Sequence, residues 1–573
     1  MVGINEVLLK SSGEWLHLSH PHKILQADQI RDVKETLKEV ERLVNTNGWH
    51  AAGFVSYEAA PAFDSALQVL SPGEFPLLWF GLYSEPRTVQ LPAPKESPAS
   101  LNWQATTGRE SYNTAIEKIK DAIAHGQTYQ VNYTMRLKAD FVEDEWNFFL
   151  HLAQSQNKYA AMLNIGRHVI CSASPELFFK LDGNWIYSRP MKGTFKRGRF
   201  KSEDLDNSNW LRASEKNRAE NVMIVDMVRN DLGRIAEIGS VQVPDLFHVE
   251  KYPTLLQMTS TVQAKTKSSI TEIFSALFPC ASITGAPKVS TMKIIAQLET
   301  TPRRIYTGSI GYISPNRMAQ FNVAIRTALI DKTKAQAEYG VGGGIVWDST
   351  STDEFNEALL KARVLTERPV EFSLFETILW TPNEGYFLLD KHIARMADSA
   401  EYFDFSFSRE GLVDFLSEVA GGFTSPKRVK ILVNRSGEFS EETVDFLSEE
   451  RVFKACLANH SVNSSNVFLF HKTTHREIYP SPPKEYDDVL VFNENGELTE
   501  FTIGNLVVEM DNERFTPPVT CGLLPGTFRG WLLETGQIQE RILHRDELAN
   551  CSKIFLVNSL RKWVEVKIKM QPT

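Results

Sequence analysis

The feature that most constrains the fold is a change of sequence pattern shortly after Leu365. Before that point, short strand-like stretches alternate with helical ones. After it, the stretch ERPVEFSLFETILW begins a new strand-like run, which a predicted helix from Asp390 to Tyr402 follows. A chain of 573 residues is also longer than one hydrophobic core usually serves. The sequence therefore predicts two domains, residues 1–367 and 368–573, joined by a short linker.

Both predicted domains mix helices with dispersed strands. Strand-like runs occur at His168–Phe179 and Tyr306–Ser314, and the clearest helices of the first domain are Ala213–Ile238 and Thr352–Leu365. Apolar residues recur near helical spacing in both helices. Because the strands are too dispersed for a simple array of β–α–β units, the pattern predicts the α+β class.

Composition excludes several classes of protein. The 62 Lys and Arg residues against 71 Asp and Glu residues give a net charge of −9, which provides no basic surface for nucleic acid or an anionic membrane. The five cysteines include no CxxC pair, which argues against disulfides or structural zinc and favours a reducing compartment. We find no signal-peptide pattern and no apolar run long enough to span a membrane. We therefore expect a soluble, cytoplasmic protein.

Three carboxylates of the first domain could share one cation. Glu220 lies early in the first predicted helix, and Glu354 and Glu357 are i and i+3 on the second, so both project from one face. Oxygen ligands on rigid elements suit Mg²⁺. Taken alone, acidic residues on helices are most often solvated.

Other residues of the first domain could meet an anion. The run GVGGGIVWDS at residues 340–349 would let backbone N–H groups approach a carboxylate or phosphate, and a tight turn explains it equally well. Arg326 is the only charge in the strand-like stretch FNVAIRTALI, so it either pairs internally or meets an anionic ligand. Lys192, in SRPMKGT, is predicted to lie at a turn, where most lysines are simply solvated.

Together these segments resemble the chorismate-utilising enzymes, the family of anthranilate, aminodeoxychorismate, isochorismate and salicylate synthases. The resemblance covers roughly residues 10–366 and rests on GFVSYEAAPAFD, GQTYQVNYT, SASPELFF, RPMKGT, RAENVMIVDMVRNDLGRI, SITGAPKVSTMKII, TGSIGYIS, IRTALI and GGGIVWDS followed by EFNEALLKA. It implies an α/β sandwich of antiparallel sheets with outer helices.

Two positions indicate the branch of this family. Members that add water to chorismate carry a lysine where this chain has Gln130, so Gln130 points to ammonia as the nucleophile. Lys192 stands where aminodeoxychorismate synthases carry lysine and anthranilate synthases carry alanine. The resemblance therefore implies amination of chorismate at C4, with an anthranilate synthase component as the alternative.

The resemblance also implies roles for individual residues. Glu220, Glu354 and Glu357 would hold Mg²⁺ against the ring carboxylate of chorismate. Lys192 would attack C2 as the C4 hydroxyl leaves with a proton from Glu176, and ammonia would then attack C4 and expel the lysine. The implied substrate-binding residues are Gln130, Thr284, Tyr306, Arg326, Gly342, Gly343 and Gly344.

Two positions depart from the family pattern. Gln257 stands where several relatives place a histidine associated with pyruvate elimination, which fits a first domain that stops before that step. Asn217 occupies a position that is often acidic in relatives, three residues before Glu220, and so bears on an outer contact of the metal. The chain shows no GxCxG-type glutaminase motif, so ammonia would come from solution or from a separate glutamine amidotransferase subunit.

Residues 371–573 resemble the fold-type IV enzymes of pyridoxal phosphate (PLP), which include branched-chain and D-amino acid aminotransferases and aminodeoxychorismate lyases. The matching stretches are LFETI, LLDKHIARMADSAEYF, HKTTHREIY, VLVFNENGELTEFTIGNLVVE and TPPVTCGLLPGTFRG. PLP needs a lysine, a carboxylate beside its ring nitrogen and donors for its phosphate. The resemblance implies Lys472 as the Schiff-base lysine and Glu500 as that carboxylate. The phosphate donors that it implies are Arg395, Ile503, Gly504, Asn505, Gly526 and Thr527.

The two resemblances together predict a bifunctional enzyme that makes 4-aminobenzoate, a folate precursor. The first domain would produce 4-amino-4-deoxychorismate, and the second would eliminate pyruvate from it, with Lys472 removing the C4 proton. Lyases and transaminases share these PLP residues, so an amino acid transaminase stays open for the second domain. A degenerate PLP fold that serves only as a docking or dimerisation module also stays open for this domain. A homodimer through the PLP domain is a further expectation from the family.

Overall fold

The computed structural model describes residues 2–95, 101–155, 158–252, 255–365, 370–447 and 451–569. They form two compact units. The first comprises Met1–Lys196 and Ser208–Pro369, and the second comprises Arg197–Asn207 and Val370–Thr573. The predicted boundary between residues 367 and 368 falls outside the described residues. The sequence pattern gave no sign that Arg197–Asn207 folds with the second unit.

Strands and helices of the first unit follow one another along the whole region before residue 366. The strands are β1 (Glu6–Ser11), β2 (Glu14–Leu18), β3 (Lys23–Ala27), β4 (His50–Val55), β5 (Leu78–Tyr83), β6 (Arg87–Val89), β7 (Gln104–Ala105), β8 (Gln130–Asp140), β9 (Tyr159–Asn164), β10 (His168–Ser174), β11 (Leu177–Asp182), β12 (Trp185–Arg189), β13 (Met191–Lys196), β14 (Gln242–Lys251), β15 (Leu255–Lys265), β16 (Gly285–Ala286), β17 (Ser309–Ser314), β18 (Met318–Val323), β19 (Thr327–Asp331) and β20 (Gln336–Ile345). The helices are α1 (Ile30–Asn47), α2 (Ala60–Phe63), α3 (Arg109–Ala124), α4 (Glu145–Ser155), α5 (Lys201–Ala213), α6 (Glu215–Gly233), α7 (Ile270–Leu277), α8 (Lys288–Leu298) and α9 (Ser351–Ala362). The part of α5 before Ser208 belongs to the second unit.

Over the described residues, two ten-stranded antiparallel sheets form the framework of this unit. The first sheet has the order β16-β8-β20-β19-β10-β9-β1-β2-β6, with β7 beside β8. The second has the order β13-β15-β12-β11-β18-β17-β4-β5-β3, with β14 beside β15.

Strand β1 shows how the layers pack. Val7 and Leu9 lie in one apolar cluster with Phe54 and Trp79 of the second sheet. Leu8 lies in another cluster, together with side chains from α3 and α4. Because neighbouring side chains of a strand point to opposite faces, both faces of β1 are buried at its centre, where Val7, Leu8 and Leu9 are all apolar. The predicted sandwich of antiparallel sheets with outer helices is confirmed.

The second unit contains a small sheet and a larger one. Its strands are β21 (Leu374–Thr381), β22 (Gly385–Tyr386), β23 (Lys427–Val433), β24 (Phe439–Asp445), β25 (Phe453–Leu457), β26 (Asp488–Phe492), β27 (Leu498–Phe501), β28 (Gly504–Met510), β29 (Glu513–Thr516), β30 (Gln539–Glu540), β31 (Lys553–Asn558) and β32 (Lys562–Lys569). Its helices are α10 (Leu389–Phe403), α11 (Arg409–Ala420) and α12 (Thr527–Glu534).

The four strands β22-β21-β23-β24 form the small sheet in the described residues, and α10 and α11 pack on it. The larger sheet has the order β27-β26-β25-β32-β31-β28-β29-β30. An additional pairing of β27 with β28 closes six of these strands into a ring. Leu490, Leu506 and Leu556 belong to the apolar cluster of this ring. The unit is mixed α and β, as predicted.

Helix predictions from sequence periodicity were close to the observed helices. Helix α6 begins after Ser214, whose side chain accepts a hydrogen bond from the Asn217 amide, and it ends at Gly233, before the predicted Ile238. Helix α9 begins after Thr350, which caps it in the same way. No helix in the described part of the chain is both long and apolar enough to cross a membrane.

The strand predicted through Arg326 was wrong. Strand β18 ends at Val323 and β19 begins at Thr327, and these two strands belong to different sheets. Arg326 lies between them with a φ of 52°, in the left-handed region. The chain must turn sharply to pass from one sheet to the other, and this turn interrupts the alternating pattern. Arg326 consequently lies in the connection between the two sheets.

Candidate active sites

The four glycines of the glycine-rich run lie in strand β20, which excludes the alternative that they form a tight turn. Gly344 pairs in register with Asn132 of β8. A Cβ atom on Gly344 would lie 2.0 Å from Nε2 of Gln130 and 2.7 Å from Nζ of Lys192. A side chain at this position would therefore displace both groups. The Lys192 amine and the Gln130 amide thus meet over the backbone of Gly344.

Lys192 lies in strand β13, and the turn predicted around it was wrong. The Asn221 side chain of α6 donates a hydrogen bond to the Lys192 carbonyl oxygen at 3.1 Å, which fixes this strand against the helix. Burial lowers the pKa of the Lys192 amine, while the negative charge of Glu220 opposes this shift. A lowered pKa favours the neutral amine, which is the form of lysine that acts as a nucleophile.

Glu220, Glu354 and Glu357 all influence the pKa of Lys192 through their charge. Glu354 accepts a 2.6 Å hydrogen bond from the Ser349 hydroxyl, and burial raises its pKa. Glu357 pairs with Lys361 at 2.7 Å, and this cation lowers its pKa. Lys361 also donates to the carbonyl oxygen of Gly342 at 2.9 Å.

These three carboxylates have the chemistry that Mg²⁺ requires, because they are oxygen donors on two helices around one amine. Oε2 of Glu354 would lie 2.9 Å from a Cβ atom on Gly343, which places it directly over the glycine backbone. Among the described residues, no three His, Cys, Asp or Glu side chains are gathered closely enough to enclose a metal ion. In this structure Lys361 instead supplies the positive charge beside Glu357.

Glu176 lies between β10 and β11 and is only 3% exposed. Its carboxyl group accepts a 2.6 Å hydrogen bond from the Ser282 hydroxyl. Burial raises the pKa of Glu176 to about 7, and Ser282 and Lys192 oppose this shift. Near neutral pH a substantial fraction of Glu176 therefore carries a proton that it can donate.

The opposite end of the same glycine run is cationic. A Cβ atom on Gly340 would lie 2.2 Å from the ring of Tyr306, so this ring lies flat against β20. The Arg136 guanidinium lies 5.0 Å from the centre of that ring. Burial raises the pKa of Tyr306, and the cations Arg136, Arg303 and Arg326 oppose the rise. Tyr306 therefore remains a neutral hydroxyl donor in positive surroundings that suit a carboxylate.

Gln130 and Thr284 differ in what their polar atoms contact. Gln130 is 1% exposed, yet its Oε1 atom has no hydrogen-bond partner among the described residues. The Thr284 hydroxyl, by contrast, donates to the carbonyl oxygen of Cys280 at 3.1 Å. A buried orphan acceptor is costly unless a ligand satisfies it. Gln130 therefore presents an acceptor to a ligand, whereas the hydroxyl of Thr284 is already used.

In the second unit, Lys472 lies beside strand β21. The backbone N–H of Phe375 donates to the Lys472 carbonyl oxygen at 3.0 Å, and Lys472 Nζ lies 4.9 Å from the centre of the Phe375 ring. Burial lowers the pKa of Lys472 to about 8, and the cations Arg395 and Arg476 contribute to this shift. Such an amine reacts readily with an aldehyde carbon.

Glu500 is held by a tight hairpin between β27 and β28, in which it pairs directly with Asn505. Its carboxylate accepts hydrogen bonds from the Tyr479 hydroxyl at 2.7 Å, the Leu524 amide at 3.1 Å and the Asn505 side chain at 3.1 Å. Burial raises the pKa of Glu500 to about 7, and Tyr479 opposes the rise most strongly. These three donors hold the buried carboxylate in place and favour its ionised form.

A second buried carboxylate, Glu376, organises the predicted phosphate-binding residues. It accepts hydrogen bonds from Arg395 at 2.7 and 2.8 Å and from Nδ1 of His392 at 2.7 Å. Burial opposes ionisation of Glu376, but these two neighbours outweigh it and hold its pKa well below the usual range. Nε2 of His392 lies 3.3 Å from the Thr527 hydroxyl. Arg395 and Thr527 are thus joined through one buried network.

The residues of this unit fit PLP. Helix α12 begins at Thr527 with Gly526 as its cap, and a Cβ atom on Gly526 would lie 1.9 Å from Oδ1 of Asn505. This bare backbone at a helix N-terminus, beside Arg395, suits a phosphate group. The Asn505 side chain is already bonded to Glu500, and the Ile503 side chain is 48% exposed, so any phosphate contact of residues 503–505 would come from their backbone.

Sequence reasoning missed several residues of these sites: Ser282, Lys361, Glu376, His392 and Tyr479. Most of them belong to stretches that carried the resemblance, such as SITGAPK, LFETI, HIARM and HREIY. Their partners, however, lie far away in sequence: Ser282 binds Glu176, and His392 binds Glu376. No spacing within one stretch reveals such pairs. A search for polar residues inside otherwise apolar stretches would have identified Glu376.

Comparison with known proteins agrees with this geometry. Residues 5–367 match the family of the chorismate binding enzymes, and residues 373–568 match amino-transferase class IV. The chain belongs to the chorismate binding enzymes and carries a class IV aminotransferase domain in its second unit. The class IV fold implies PLP as its cofactor.

Curated relatives cover the first unit. The chain is 39% identical over 274 residues to aminodeoxychorismate synthase component 1 of Salmonella typhimurium, which is 47% of this chain and 60% of that protein. It is 39% identical over 289 residues to the chloroplastic aminodeoxychorismate synthase of Arabidopsis thaliana, 49% of this chain and 31% of that protein. The chain thus spans less than two thirds of the length of either relative.

Among solved structures, anthranilate synthase component I from Streptococcus pneumoniae is similar to this chain with a TM-score of 0.55 and 23% identity. The match covers 64% of this chain and 93% of that chain. At this level of identity, the similarity establishes a shared fold for the first unit.

Proposed function

We propose that the first unit aminates chorismate at C4 and so forms 4-amino-4-deoxychorismate. The observation that carries this proposal is the meeting of the Lys192 amine with the Gln130 amide over Gly344. One group can act as a nucleophile, and the other can hold a second nucleophile beside it. The curated relatives of this region that are named above carry the name aminodeoxychorismate synthase, which supports the same reaction.

Lys192 acts as the nucleophile of this reaction, and Glu176 acts as its general acid. The neutral Lys192 amine attacks C2, both ring double bonds shift by one position, and the C4 hydroxyl leaves as water with the proton of Glu176. Ammonia then attacks C4, both double bonds shift back, and Lys192 departs from C2 as an amine. Burial moves the two pKa values in opposite directions, lower for Lys192 and higher for Glu176, so it favours the form that each role requires.

Gln130 explains why the second nucleophile is ammonia. Its buried Oε1 atom has no hydrogen-bond partner in the part of the chain that the structure describes, and it can accept a hydrogen bond from an N–H group. A lysine at the same position could offer only donors to an incoming ammonia molecule, and when neutral it would activate water instead. Gln130 therefore orients ammonia without activating water.

The carboxylates of chorismate have two binding regions available. Tyr306 and Arg326 would hold the pyruvyl-ether carboxylate at the cationic end of β20. Glu220, Glu354 and Glu357 would hold Mg²⁺ at the other end. When bound, Mg²⁺ neutralises the ring carboxylate and withdraws electrons from the ring. For this, Lys361 has to release Glu357, with which it pairs at 2.7 Å.

We further propose that the second unit is a PLP-dependent lyase that converts this intermediate to 4-aminobenzoate and pyruvate. When bound, PLP supplies an electron sink for the carbon that loses its proton. Lys472 would move that proton from C4, and Glu500 would keep the ring nitrogen of PLP protonated. Arg395, Thr527 and the backbone of Gly526 would hold the phosphate.

The lyase assignment rests on the adjacency of the two units in one chain. The product of the first unit carries the primary amine with which PLP enzymes react, and it still carries the pyruvyl ether. Loss of pyruvate makes its ring aromatic, which makes the step strongly favourable. We also propose that a separate glutamine amidotransferase supplies the ammonia, since the Salmonella relative is named as component 1.

One incubation tests both halves of this proposal. Purified protein is mixed with chorismate, an ammonium salt, Mg²⁺ and PLP, and products are identified by mass and fluorescence, with pyruvate measured enzymatically. We expect 4-aminobenzoate and pyruvate in equal amounts. Formation of 2-aminobenzoate would refute the assignment of the first unit. Accumulation of aminodeoxychorismate, together with transamination of amino acids, would assign the second unit as a transaminase.

A further inference from the structure

The segment Arg197–Asn207, which we call the strap, belongs to the second unit although it lies in the middle of the chorismate-family match. It follows strand β13, which carries Lys192, and its last residues open helix α5. The family to which these residues belong does not explain why they fold with a PLP domain. The contacts of the strap within the second unit explain why it folds there.

A buried ion pair and a backbone hydrogen bond fix the conformation of the strap. Asp204 is 2% exposed and accepts hydrogen bonds from Nε of Arg197 at 2.8 Å and from the Gly198 amide at 3.0 Å. The guanidinium group of Arg197 lies 4.3 Å from the centre of the Tyr402 ring. A buried ion pair of this kind is stable only when its surroundings satisfy it, so this conformation is specific rather than incidental.

Two backbone carbonyl groups of the strap bind side chains of the second unit. The Tyr402 hydroxyl donates to the Gly198 oxygen at 2.7 Å. Nε2 of His471 lies 3.2 Å from the Arg199 oxygen. Because a carbonyl oxygen can only accept, His471 must carry its proton on Nε2. Nδ1 of His471 then accepts from the Ser399 hydroxyl, 2.9 Å away.

His471 directly precedes Lys472. Burial lowers the pKa of His471 to about 4, so the ring is neutral, in agreement with the single proton that these contacts require. The strap thus fixes both the orientation and the tautomer of the residue next to the lysine that would bond to PLP. This contact resembles the outer hydrogen bonds that orient ligands at other sites.

Arg199 also contacts two other segments of the second unit, those that contain Ser464 and Thr520. Its Nη1 atom donates to the carbonyl oxygens of Ser464 and Thr520, each at 3.2 Å. Thr520 begins the loop that supplies the Leu524 amide to Glu500 and then leads to helix α12. The Arg199 guanidinium lies 5.1 Å from the centre of the buried Phe470 ring, which also contacts the ring of Phe200 at 5.2 Å.

We propose that the strap is a positioning element of the PLP site, so that residues 370–573 alone are an incomplete PLP unit. Arg199 and the two carbonyl groups hold the His471–Lys472 segment and the Thr520 loop in the arrangement that PLP requires. This inference rests on the assignment of PLP to the second unit. It extends that assignment to residues that the family match gives to the chorismate enzyme.

The test uses the full chain with Arg199→Ala and, as a matched control, Arg212→Ala, an exposed arginine on the same helix α5 but outside the strap. PLP affinity is measured by titrating the visible absorption of the bound cofactor. We expect Arg199→Ala to weaken PLP binding on the order of tenfold, the effect of losing one partly buried charged hydrogen-bond donor. Amination of chorismate by the first unit should be unchanged in both variants.

Equal PLP affinity in Arg199→Ala and the wild-type chain would overturn the proposal. Failure of the wild-type chain to bind PLP would instead refute the cofactor assignment, so the two failures are distinguishable. If Arg199→Ala does not fold, hydrogen exchange in the wild-type chain decides. We expect PLP to slow exchange in the strap as well as around Lys472. Protection around Lys472 without any in the strap would also overturn the proposal.

Discussion

Each of the two units pairs a buried lysine with a buried glutamate, but the surroundings of the glutamates differ. Burial lowers the pKa of Lys192 and of Lys472, and it raises the pKa of Glu176 and of Glu500 to about 7. Glu176 accepts from the Ser282 hydroxyl, and a backbone hydrogen bond from Met191 also lowers its pKa. Glu500 accepts from a hydroxyl, an amide side chain and a backbone N–H.

This difference matches the work proposed for each group. A general acid must give up its proton and regain it, so few donors should stabilise its anion. A carboxylate that keeps a ring nitrogen protonated must stay ionised and stationary, and several donors achieve this. A similar pKa therefore accompanies two different roles, and the hydrogen-bond donors distinguish them better than the pKa does.

The largest expected effect comes from removing each lysine separately. Lys192→Ala should lower amination of chorismate by about 10³-fold or more, because the nucleophile is lost, and leave PLP binding unchanged. Lys472→Ala should abolish the visible absorption of lysine-bound PLP and leave amination unchanged. Each variant is the control for the other. Loss of amination in Lys472→Ala would contradict the independence of the two sites.

Glu176→Gln tests the acid role. The amide has nearly the same shape but cannot donate a carboxyl proton, so we expect a loss of about 10²- to 10⁴-fold in the rate of amination. The KM for chorismate should change little. Glu35→Gln, an exposed glutamate of α1, serves as the matched control. A rate close to that of the wild type would assign the departing hydroxyl to another acid.

Tyr479→Phe tests the ionised state of Glu500. Tyr479 lowers the pKa of Glu500, so its loss should raise that pKa and allow the carboxylate to take up a proton at higher pH. We expect PLP affinity to fall by roughly tenfold or less at neutral pH, and to recover as the pH increases. Tyr386→Phe, which removes a hydroxyl bonded to the Leu416 carbonyl oxygen, is the matched control. If PLP affinity depends on pH in the same way in Tyr479→Phe and in the wild-type chain, the proposed role of Tyr479 is contradicted.

Ser282→Ala should have the smallest effect and the most specific one. Its hydroxyl lowers the pKa of Glu176, so the variant should have a higher Glu176 pKa. In the pH profile of kcat/KM, the limb that reports Glu176 should move to higher pH, while the limb that reports Lys192 stays in place. Ser275→Ala removes a hydroxyl bonded only to backbone in α7 and is the matched control. Equal displacement of both limbs would indicate a general structural change.

Sequence reasoning predicted the helices and the fold class well. The apolar spacing of α6 and α9 is a local property, and their caps, Ser214 and Thr350, lie within four residues of the atoms they bind. The number of strands in each sheet and the choice of strand partners are not local properties of the sequence. The turn predicted at Lys192 and the strand predicted at Arg326 were therefore wrong. The backbone conformation at these two positions depends on which sheet the chain joins next.

The candidate sites were predicted as separate residues rather than as networks. Motifs identified Lys192, Glu176, Lys472 and Glu500, but not the hydroxyl groups of Ser282 and Tyr479 that bind these carboxylates. The strap illustrates the same limit on a larger scale. Nothing in the local pattern of Arg197–Asn207 indicates that it folds with residues from the far end of the chain.

The most direct test of consecutive reactions at two lysines is a transfer between the two variants. Lys472→Ala is incubated with chorismate, Mg²⁺ and an ammonium salt, the protein is denatured and removed, and the filtrate is given to Lys192→Ala with PLP. We predict that the filtrate contains 4-amino-4-deoxychorismate and that Lys192→Ala converts it to 4-aminobenzoate and pyruvate. A filtrate that contains the intermediate but is not converted would contradict the account.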